Sequence, residues 1–329
     1  MLTQNDILFV TGGSGFIGRN VVRELVTRKL SVKALARSQK SADIVAGLGA
    51  IPVRGDLMDV AELTQGMHGA THLIHLAADT NHGVATKAQI QESLQGADNI
   101  YAVAKEAGIK RALHLSTEAV LLTGQALRNV DETRAIQERF PGAYSEMKAG
   151  AERIALAASG DGLEVVVVRP RFVWGRDDTT ALPQLIDAAQ SGKLAWIAGG
   201  RYKISTTHIA NAVAGIMLGL ENGRAGEVYF VTDGEPVIFR EFICALLNTQ
   251  NVEPPTKQVP RWLVAMVARI GDGVSRLTKG KISGPMSYQE YATLGVEVTL
   301  NIDKARSDLG YEPVISIQQG LKELRTKAW

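Results

Sequence analysis

The chain has 329 residues and a mass of 35.3 kDa, enough for two structural units of about 150 residues each. Lys and Arg number 36 and Asp and Glu 34, so the formal net charge of +2 is too small to indicate a nucleic-acid or anionic-membrane partner. No stretch approaches the roughly 20 apolar residues of a membrane-spanning helix. The lone Cys244 excludes an internal disulfide and a thiolate zinc cluster, and the N-terminus lacks a secretory-signal pattern. We therefore predict a cytoplasmic protein whose partner is a small molecule.

Short aliphatic and β-branched runs alternate with helical patterns through the first half of the chain. The runs lie at residues 7–10, 31–35, 51–53, 72–76, 112–115 and 163–168, and helical spacing is clearest at 16–29, 87–107 and 143–158. The run from Glu164 to Val168 has no polar alternation, which is typical of a strand buried on both faces. This order predicts an α/β fold with a doubly wound parallel sheet of the Rossmann type.

The pattern changes after Arg169-Pro170. Helical periodicity appears at 181–191, 207–220, 238–248 and 259–278, around one clear strand at 228–231. We predict a first domain over 1–170, to which a segment of about 205–232 returns, and a smaller, mostly helical substrate part over 171–329. Segment 261–270 is amphipathic, which fits a lid over an apolar pocket, a helix on a membrane surface or ordinary packing. Ordinary packing is the expectation.

A glycine-rich loop joins the first predicted strand to the first predicted helix. It contains G-x-G-x-x-G at Gly13, Gly15 and Gly18, a spacing that lets a pyrophosphate approach the backbone at a helix N-terminus. The strand before it and the helix after it favour dinucleotide binding over a turn without a ligand. The predicted contacts are Gly12, Gly13, Gly15, Phe16, Ile17 and Gly18.

The end of the second predicted strand bears on the choice of cofactor. NAD-selective sites place a carboxylate here, about 20 residues after the glycines, to bind the ribose hydroxyls. This chain instead has Arg37 and Ser38, and a guanidinium matches the geometry of a 2′-phosphate. NADP is therefore predicted over NAD, although Arg37 as a solvated residue beside an unselective pocket remains an alternative.

Two Tyr-x-x-x-Lys pairs compete for the role of proton donor. Tyr144 and Lys148 lie one helical turn apart, so an ammonium there lowers the pKa of a phenol that is otherwise near 10. Tyr101 and Lys105 have the same spacing, but they precede the strand at 112–115, whereas Tyr144 follows it. Reactive groups collect at the carboxyl ends of parallel strands, which favours Tyr144 and Lys148. We interpret Tyr101 as packed on the sheet and Lys105 as solvated.

The glycine spacing and several later segments resemble one superfamily over nearly the whole chain. Gly12, Gly15 and Gly18 form G-x-x-G-x-x-G, as in extended short-chain dehydrogenases/reductases with the NAD-dependent epimerase/dehydratase fold. Residues 168–175, 207–211 and 304–313 match motifs of that superfamily. Residues 229–236 look most like its 3β-hydroxysteroid dehydrogenase/isomerase branch.

The resemblance implies roles for further residues. Thr117 orients the substrate oxygen, with Ser116 as the runner-up, Tyr144 is the general acid or base, and Lys148 tunes it and binds ribose. The further implied cofactor contacts are Asp56, Leu57, Leu76, Ala77, Ala78, Ser116, Arg169, Pro170 and Phe172. The implied substrate contacts are Thr80, Glu118, Arg171 and Trp174. Asp56 also fits a helix cap. Ser93 stands where the family often has an Asn of the proton relay, which puts that relay in doubt, whereas Asn99 matches a second Asn.

The histidines do not indicate a metal site. His72 and His75 point to opposite faces of a strand, so we predict no metal. For His208 a structural role at the domain junction is favoured over a substrate contact. Phe172, Trp174 and Trp196 suit an apolar substrate or simply the core, while Arg171, Arg176 and Arg201 suit a sugar-nucleotide diphosphate.

Three functions follow in order of preference. The first is an NADP-preferring oxidoreductase that transfers hydride between nicotinamide and a hydrophobic or sterol-like hydroxyl or keto compound. The second is a nucleotide-sugar epimerase or dehydratase, which returns the hydride and retains its cofactor. The third is a dinucleotide-sensing regulator without activity, against which an intact Tyr144 and Lys148 argue. The family resemblance also implies a homodimer.

Overall fold

The computed structural model describes residues 2–79, 83, 85–278, 280–282 and 284–326. Within these residues the strands are β1 (Ile7–Thr11), β2 (Ser31–Ala36), β3 (Ile51–Arg54), β4 (His72–His75), β5 (Arg111–Leu115), β6 (Leu127–Val130), β7 (Glu164–Pro170), β8 (Val173–Trp174), β9 (Trp196–Ile197), β10 (Lys203–Ile204), β11 (Thr207–His208), β12 (Val228–Val231), β13 (Val237–Ile238), β14 (Gln258–Val259) and β15 (Val298–Leu300). The helices are α1 (Phe16–Thr27), α2 (Gln39–Gly47), α3 (Val60–Met67), α4 (Lys87–Glu106), α5 (Ala143–Ala157), α6 (Ala181–Gln190), α7 (Ile209–Asn222), α8 (Phe239–Thr249), α9 (Arg261–Leu277), α10 (Tyr288–Leu294), α11 (Asp303–Leu309) and α12 (Ile317–Thr326). Two short 3₁₀ turns cover Glu118–Leu121 and Ala198–Gly200.

Seven parallel strands form the central sheet. Their order is β3-β2-β1-β4-β5-β7-β12, and every neighbouring pair runs parallel. The chain winds outward in one direction from β1 and in the other from β4, so the switch point lies between these two strands. In such sheets a ligand binds at the carboxyl ends of the strands beside the switch point. The predicted doubly wound α/β fold is confirmed.

The centre of the sheet shows why an unbroken valine run forms a strand here. Residues 165–168 of β7 are completely buried, and β7 pairs with β5 on one side and with β12 on the other. Helices cover both faces of the sheet, so no polar alternation is needed. Strand β12 is the seventh member, because the run at 228–231 extends the sheet beyond the six strands predicted from the first half.

The C-terminal part combines helices with small sheets. The four helical patterns predicted after residue 170 correspond to α6, α7, α8 and α9. Eight further strands of the described residues were not predicted, seven in this part and β6 before it, and they form the sheet β13-β10-β15-β6 and the pairs β11-β8 and β14-β9. They have two to four residues each, too few to show a period of two. The division of the chain at residue 170 stays a prediction.

Helix α9 departs from the expectation of ordinary packing. Only Ala268 and Ser275 among its residues are buried, whereas Trp262, Met266 and Ile270 are exposed. Packing therefore accounts for one face of the helix and not for the other. None of the described helices is long and apolar enough to cross a membrane.

Candidate active site

The glycine loop forms a cradle at the carboxyl end of β1. Gly12 has φ +71°, and a Cβ there would lie 2.7 Å from the backbone nitrogen of Ala77. A Cβ on Gly18 would lie 2.0 Å from the Gly12 carbonyl oxygen, so α1 approaches the turn as closely as a glycine allows. Gly15 is the N-cap of α1 and provides no side-chain cap. The first amides of the helix are therefore available to an anion, and the cradle fits the pyrophosphate of a dinucleotide.

Two arginines gather at the ends of β2 and β3. The Arg37 side chain is 81 % exposed, and Arg54 donates from Nη2 to the Arg37 carbonyl oxygen at 3.5 Å. Ser38 caps α2, because its Oγ accepts from the Ser41 amide at 3.1 Å. No sequence pattern indicates Arg54, because only the sheet register brings the end of β3 beside the end of β2. Both arginines therefore lie at the same end of the sheet, and Nε of Arg37 is 3.9 Å from Oδ2 of Asp56.

The turn after β3 is held by hydrogen bonds to other residues of the protein. Asp56 accepts from the Met58 amide at 3.1 Å, and the N-cap of α3 is Asp59, so the alternative that Asp56 caps this helix is wrong. Asn99 on α4 donates to the Leu57 carbonyl at 3.0 Å and thereby holds the turn against the helix. The Asn that matches the family pattern thus has a structural role.

Strand β4 is tied to β1 at the switch point. The Thr11 hydroxyl bonds to Nδ1 of His75 at 2.7 Å and accepts from the Ala77 amide at 3.2 Å. Leu76 and Ala77 are half-buried and Ala78 is exposed, as they emerge from the sheet. Thr80, a predicted substrate contact, lies outside the described residues.

A closed cluster of rings lies beneath this end of the sheet. The Tyr101 hydroxyl and Nδ1 of His114 are 2.8 Å apart, and the His75 ring centre lies 5.4 Å from that of His114. Burial lowers the pKa of His75 to about 3 and the pKa of His114 well below its usual value, with Lys148 adding to both shifts. The cluster is therefore neutral and structural. Across the described residues no three His, Cys, Asp or Glu side chains form a group able to hold a metal.

Three hydrogen-bonding groups meet at the carboxyl end of β5. The Tyr144 hydroxyl bonds to the Thr117 hydroxyl. Thr117 donates to Oε2 of Glu118 at 2.7 Å and accepts from the Ala119 amide at 3.2 Å. A threonine hydroxyl has one proton, so Tyr144 is the donor to Thr117 in this arrangement. The result is a directed chain from phenol through hydroxyl to carboxylate.

The electrostatics of this chain differ from the prediction. Burial and the Glu118 carboxylate raise the pKa of Tyr144, and only the Thr117 hydrogen bond lowers it. Lys148 donates from Nζ to the Leu115 carbonyl at 2.5 Å, and burial lowers its pKa to about 8 against the attraction of Glu152. The expected lowering of the Tyr144 pKa by Lys148 is therefore wrong for this arrangement, because the ammonium is directed at a strand carbonyl.

Glu152 on α5 binds two side chains, Ser116 and Arg169, that the family resemblance assigns to the cofactor. Its carboxylate accepts from Ser116 Oγ and from Nε of Arg169, the latter at 2.9 Å, while Nη2 of Arg169 completes a bidentate pair. All three residues are at least 97 % buried. A buried guanidinium requires a paired carboxylate, so the Ser116 and Arg169 side chains turn inward and the predicted side-chain contacts are not supported. Pro170 ends β7.

Glu118 also faces a buried cation. Arg171 donates to the carbonyls of Ser205 at 3.0 Å and Thr293 at 2.9 Å, and its Nε lies 3.5 Å from Oε1 of Glu118. Burial raises the pKa of Glu118, and Arg171 opposes this shift. Arg171 thus anchors the site to the C-terminal part and reaches the reacting end only through Glu118.

Two aromatic residues after β7 differ in burial and in backbone conformation. Trp174 is 1 % exposed and donates to the Asp233 carboxylate at 2.8 Å, so it belongs to the core and its predicted substrate contact is not supported. Phe172 is half-buried and has φ +43°, in the left-handed region that a phenylalanine rarely adopts. Such strain is typical of functional sites, and it lies at the carboxyl end of β7.

His208 supports the structural interpretation. It caps α7 by accepting from the Ala210 amide at 3.2 Å, and its ring packs edge-on against Trp174 with centres 4.7 Å apart. It is 1 % exposed, so its place is at the junction between the sheet and the C-terminal helices.

Known proteins match this chain along most of its length. The family model of the 3-beta hydroxysteroid dehydrogenase/isomerase family matches residues 9–261. A 4-hydroxy-2-methyl-3-oxo-4-farnesyl-3,4-dihydroquinoline-1-oxide ketoreductase of Stigmatella aurantiaca is 44 % identical over 318 residues, which cover 96 % of this chain and 95 % of the relative. A 2-alkyl-3-oxoalkanoate reductase of Stenotrophomonas maltophilia is 31 % identical, with 98 % and 99 % covered.

Among solved structures, the dTDP-glucose 4,6-dehydratase DesIV of Streptomyces venezuelae with NAD and DAU bound has a TM-score of 0.74 at 23 % identity. The match covers 97 % of this chain and 95 % of that one, and at this identity it shows the shared fold. The chain belongs to the 3-beta hydroxysteroid dehydrogenase/isomerase family and is an NAD(P)-dependent oxidoreductase of the extended short-chain dehydrogenase/reductase type.

Proposed function

We propose that this protein is an NADP-preferring ketoreductase for hydrophobic keto compounds, with Tyr144 as the general acid. The observation that carries the proposal is the directed hydrogen-bond chain from Tyr144 through Thr117 to Glu118 at the carboxyl end of β5. A phenol within a hydrogen-bonded chain beside a dinucleotide cradle is suited to moving a proton at the substrate, which supports the proposal.

The residues of the chain divide the chemistry among them. A bound nicotinamide supplies the hydride that reduces the carbonyl carbon. Tyr144 donates its proton to the carbonyl oxygen as negative charge develops there. Lys148, buried beside it on α5, adds positive charge to the site, and we assign it the ribose hydroxyls of the cofactor.

The protonation state of Glu118 determines which hydrogen bond the Thr117 hydroxyl can donate. When Glu118 is ionised, it accepts the only proton of the Thr117 hydroxyl. When Glu118 is protonated, it becomes the donor to Thr117, whose own proton is then free to orient the substrate oxygen. Burial raises the pKa of Glu118, and the neighbouring Arg171 opposes this shift. In the protonated state the carboxyl would hold a proton one hydroxyl away from the phenol.

The named substrates of the relatives support a more specific class. One relative acts on a 3-oxo compound with a methyl group on C2 and a farnesyl group on C4, and the other on a 3-oxoalkanoate with an alkyl group on C2. Both ketones are flanked by an alkyl-bearing carbon. We therefore propose that the substrate of this protein is a ketone with an alkyl or prenyl chain on the carbon next to the carbonyl. Phe172 after β7 is half-buried with its ring centre 5.9 Å from that of Phe242, and we assign it as an apolar contact for that chain.

The preference for NADP rests on Arg37 and Arg54 at the ends of β2 and β3. Two guanidinium groups compensate the additional charge of a 2′-phosphate. A location in the cytoplasm and a homodimer remain proposals from the sequence.

The experiment that tests this function compares net cofactor consumption with sugar conversion. The purified protein is given NADPH or NADH with 2-alkyl-3-oxo esters of increasing chain length, and separately UDP-sugars. We expect loss of NADPH absorbance that grows with alkyl length and is slower with NADH. Sugar conversion without net absorbance change would instead identify an epimerase. Tight NADPH binding without turnover of any compound would identify a non-catalytic sensor.

A further inference from the structure

Helix α9 carries an apolar face that the rest of the described chain leaves uncovered. Trp262, Met266, Ile270 and Leu277 are 68, 44, 59 and 87 % exposed. Their spacing of four, four and seven residues places them on one side of the helix. Ile282, 58 % exposed, follows shortly after the helix ends. We call these five residues the α9 apolar face.

The opposite side fixes the helix to the protein. Val264 and Ala265 pack against the main core. Asp272 accepts from the Tyr288 amide at 3.1 Å, and Arg261 donates from Nε to the Gly295 carbonyl at 2.9 Å. The helix is therefore held by its polar and core-facing side, and its apolar face is a fixed feature of the surface.

The exposed charges beside this face have one sign. Arg269, Arg276 and Lys281 are exposed, whereas Asp272, the acidic residue within α9, is partly buried and turned toward α10. On the helix, Arg269 and Arg276 lie seven residues apart along one border of the apolar face. The net charge of +2 gave no sign of this border because it averages over the whole chain.

An apolar strip with a tryptophan and a cationic border is complementary to the surface of an anionic bilayer. A second copy of the chain is a poorer occupant, since a two-fold interface through this face would bring two sets of cations together. We propose that the α9 apolar face docks the protein on an anionic lipid membrane, with the helix lying in the interface.

Docking through α9 places the substrate side of the molecule next to the lipid. Helix α10 packs against α9 and also contacts the start of α5, where Gln289 accepts from the Ser145 amide at 3.3 Å. Ser145 is the neighbour of Tyr144, so two packed elements connect the docked face with the reacting end. The inference does not rest on the proposed function, because membrane binding is measured without turnover.

The test is co-sedimentation of the full-length protein with vesicles of phosphatidylcholine containing about one third phosphatidylglycerol. We expect binding that is strong with these vesicles and weak with pure phosphatidylcholine. Substituting Trp262→Ser, Ile270→Ser and Leu277→Ser together should weaken binding at least about tenfold. Arg276→Gln with Lys281→Gln should weaken it about tenfold and remove most of its salt dependence.

A matched control removes equally exposed apolar side chains elsewhere. Ile51 and Val314 are 56 and 65 % exposed, so Ile51→Ser with Val314→Ser should leave vesicle binding unchanged. Brominated lipids should quench tryptophan emission in the wild type and not in Trp262→Phe. Equal weakening by the control pair, or no binding to anionic vesicles, would overturn the proposal. So would a dimer in sedimentation velocity that the triple α9 variant makes monomeric.

Discussion

Two tyrosine–lysine pairs with identical spacing occupy very different surroundings in this protein. Tyr101 on α4 is 2 % exposed and closed off against His114, while Lys105 lies at the surface, 3.7 Å from Asp161. Tyr144 on α5 is half-buried and bonds to Thr117, while Lys148 is buried beside β5. Spacing on a helix sets which side chains are neighbours, but the strand that a pair faces sets its chemistry.

The difference follows from the position of each helix in the winding order. Helix α4 enters β5 at its amino end, so Tyr101 meets the middle of the sheet, where rings pack between strands and helix. Helix α5 begins after the carboxyl end of β5, so its first turn meets Thr117 and the groups at the ligand edge. One pair is therefore structural, and we propose that the other is catalytic.

Substitution of the two lysines should give the largest difference in activity between the two pairs. Lys148→Met removes the buried cation of the site and should lower kcat/KM for the ketone at least about a hundredfold. Lys105→Met removes a surface side chain and should leave kcat/KM within about twofold. Steady-state NADPH oxidation measures both. Similar losses in the two variants would contradict the assignment.

The burial of Lys148 also predicts that the free energy of unfolding depends on pH. The folded pKa of Lys148 is about 8, below the usual 10.5, so the unfolded state holds a proton between these values that the folded state has released. The free energy of unfolding of the wild type should therefore rise with pH from about 8 to 10.5 relative to Lys148→Met. Urea unfolding of both proteins across that range measures the difference. A constant difference would show that Lys148 is not buried as described.

The carboxylates provide a second contrast. Glu118→Gln keeps the shape of the side chain but cannot exchange a proton, so kcat should fall about tenfold with KM little changed and the acidic limb of its pH profile displaced. Asp161→Asn, which alters the exposed partner of Lys105, should have no effect on either constant. A change in KM alone would restrict Glu118 to substrate binding.

The ends of β2 and β3 provide a further contrast, because we assign them to cofactor binding and they lie on other strands than the two tyrosines contact. Arg37→Ser combined with Arg54→Ser should raise KM for NADPH about tenfold and leave KM for NADH nearly unchanged. Turnover at saturating NADPH should remain, since the reacting groups are untouched. Equal changes for the two cofactors would remove the basis for the NADP preference.

The smallest effect is expected for the closed cluster of Tyr101, His75 and His114, and it concerns the free energy of unfolding. Burial keeps His114 and His75 neutral in the folded state, whereas the unfolded chain binds protons below about pH 6.5. The free energy of unfolding should thus fall with decreasing pH by up to about 1.4 kcal/mol per pH unit for each histidine. His114→Asn should reduce this slope in urea unfolding, and His68→Gln on the surface should not. An unchanged slope in His114→Asn would show that this ring is not a source of the acid sensitivity.

The sequence predicted the parts of the fold that have a readable period. The buried run 164–168, the glycine loop and the helices α1, α4 to α9 follow from local patterns, whereas the choice of Tyr144 over Tyr101 rests on the predicted strand order and stays a prediction. The inward turn of Ser116 and Arg169 toward Glu152 did not follow, because that pairing joins residues on three elements. Arg54 and the exposed side of α9 depend likewise on sheet register and tertiary packing, which no spacing along the chain records.

The central claim is that Tyr144 and not Tyr101 moves the substrate proton. The most direct measurement is kcat for a 2-alkyl-3-oxo ester with NADPH in Tyr144→Phe and Tyr101→Phe, with NADPH binding confirmed in each. We predict a loss of at least about a hundredfold in Tyr144→Phe and near-normal turnover in folded Tyr101→Phe. Near-normal turnover in Tyr144→Phe, or an equal loss in both variants, would contradict the account.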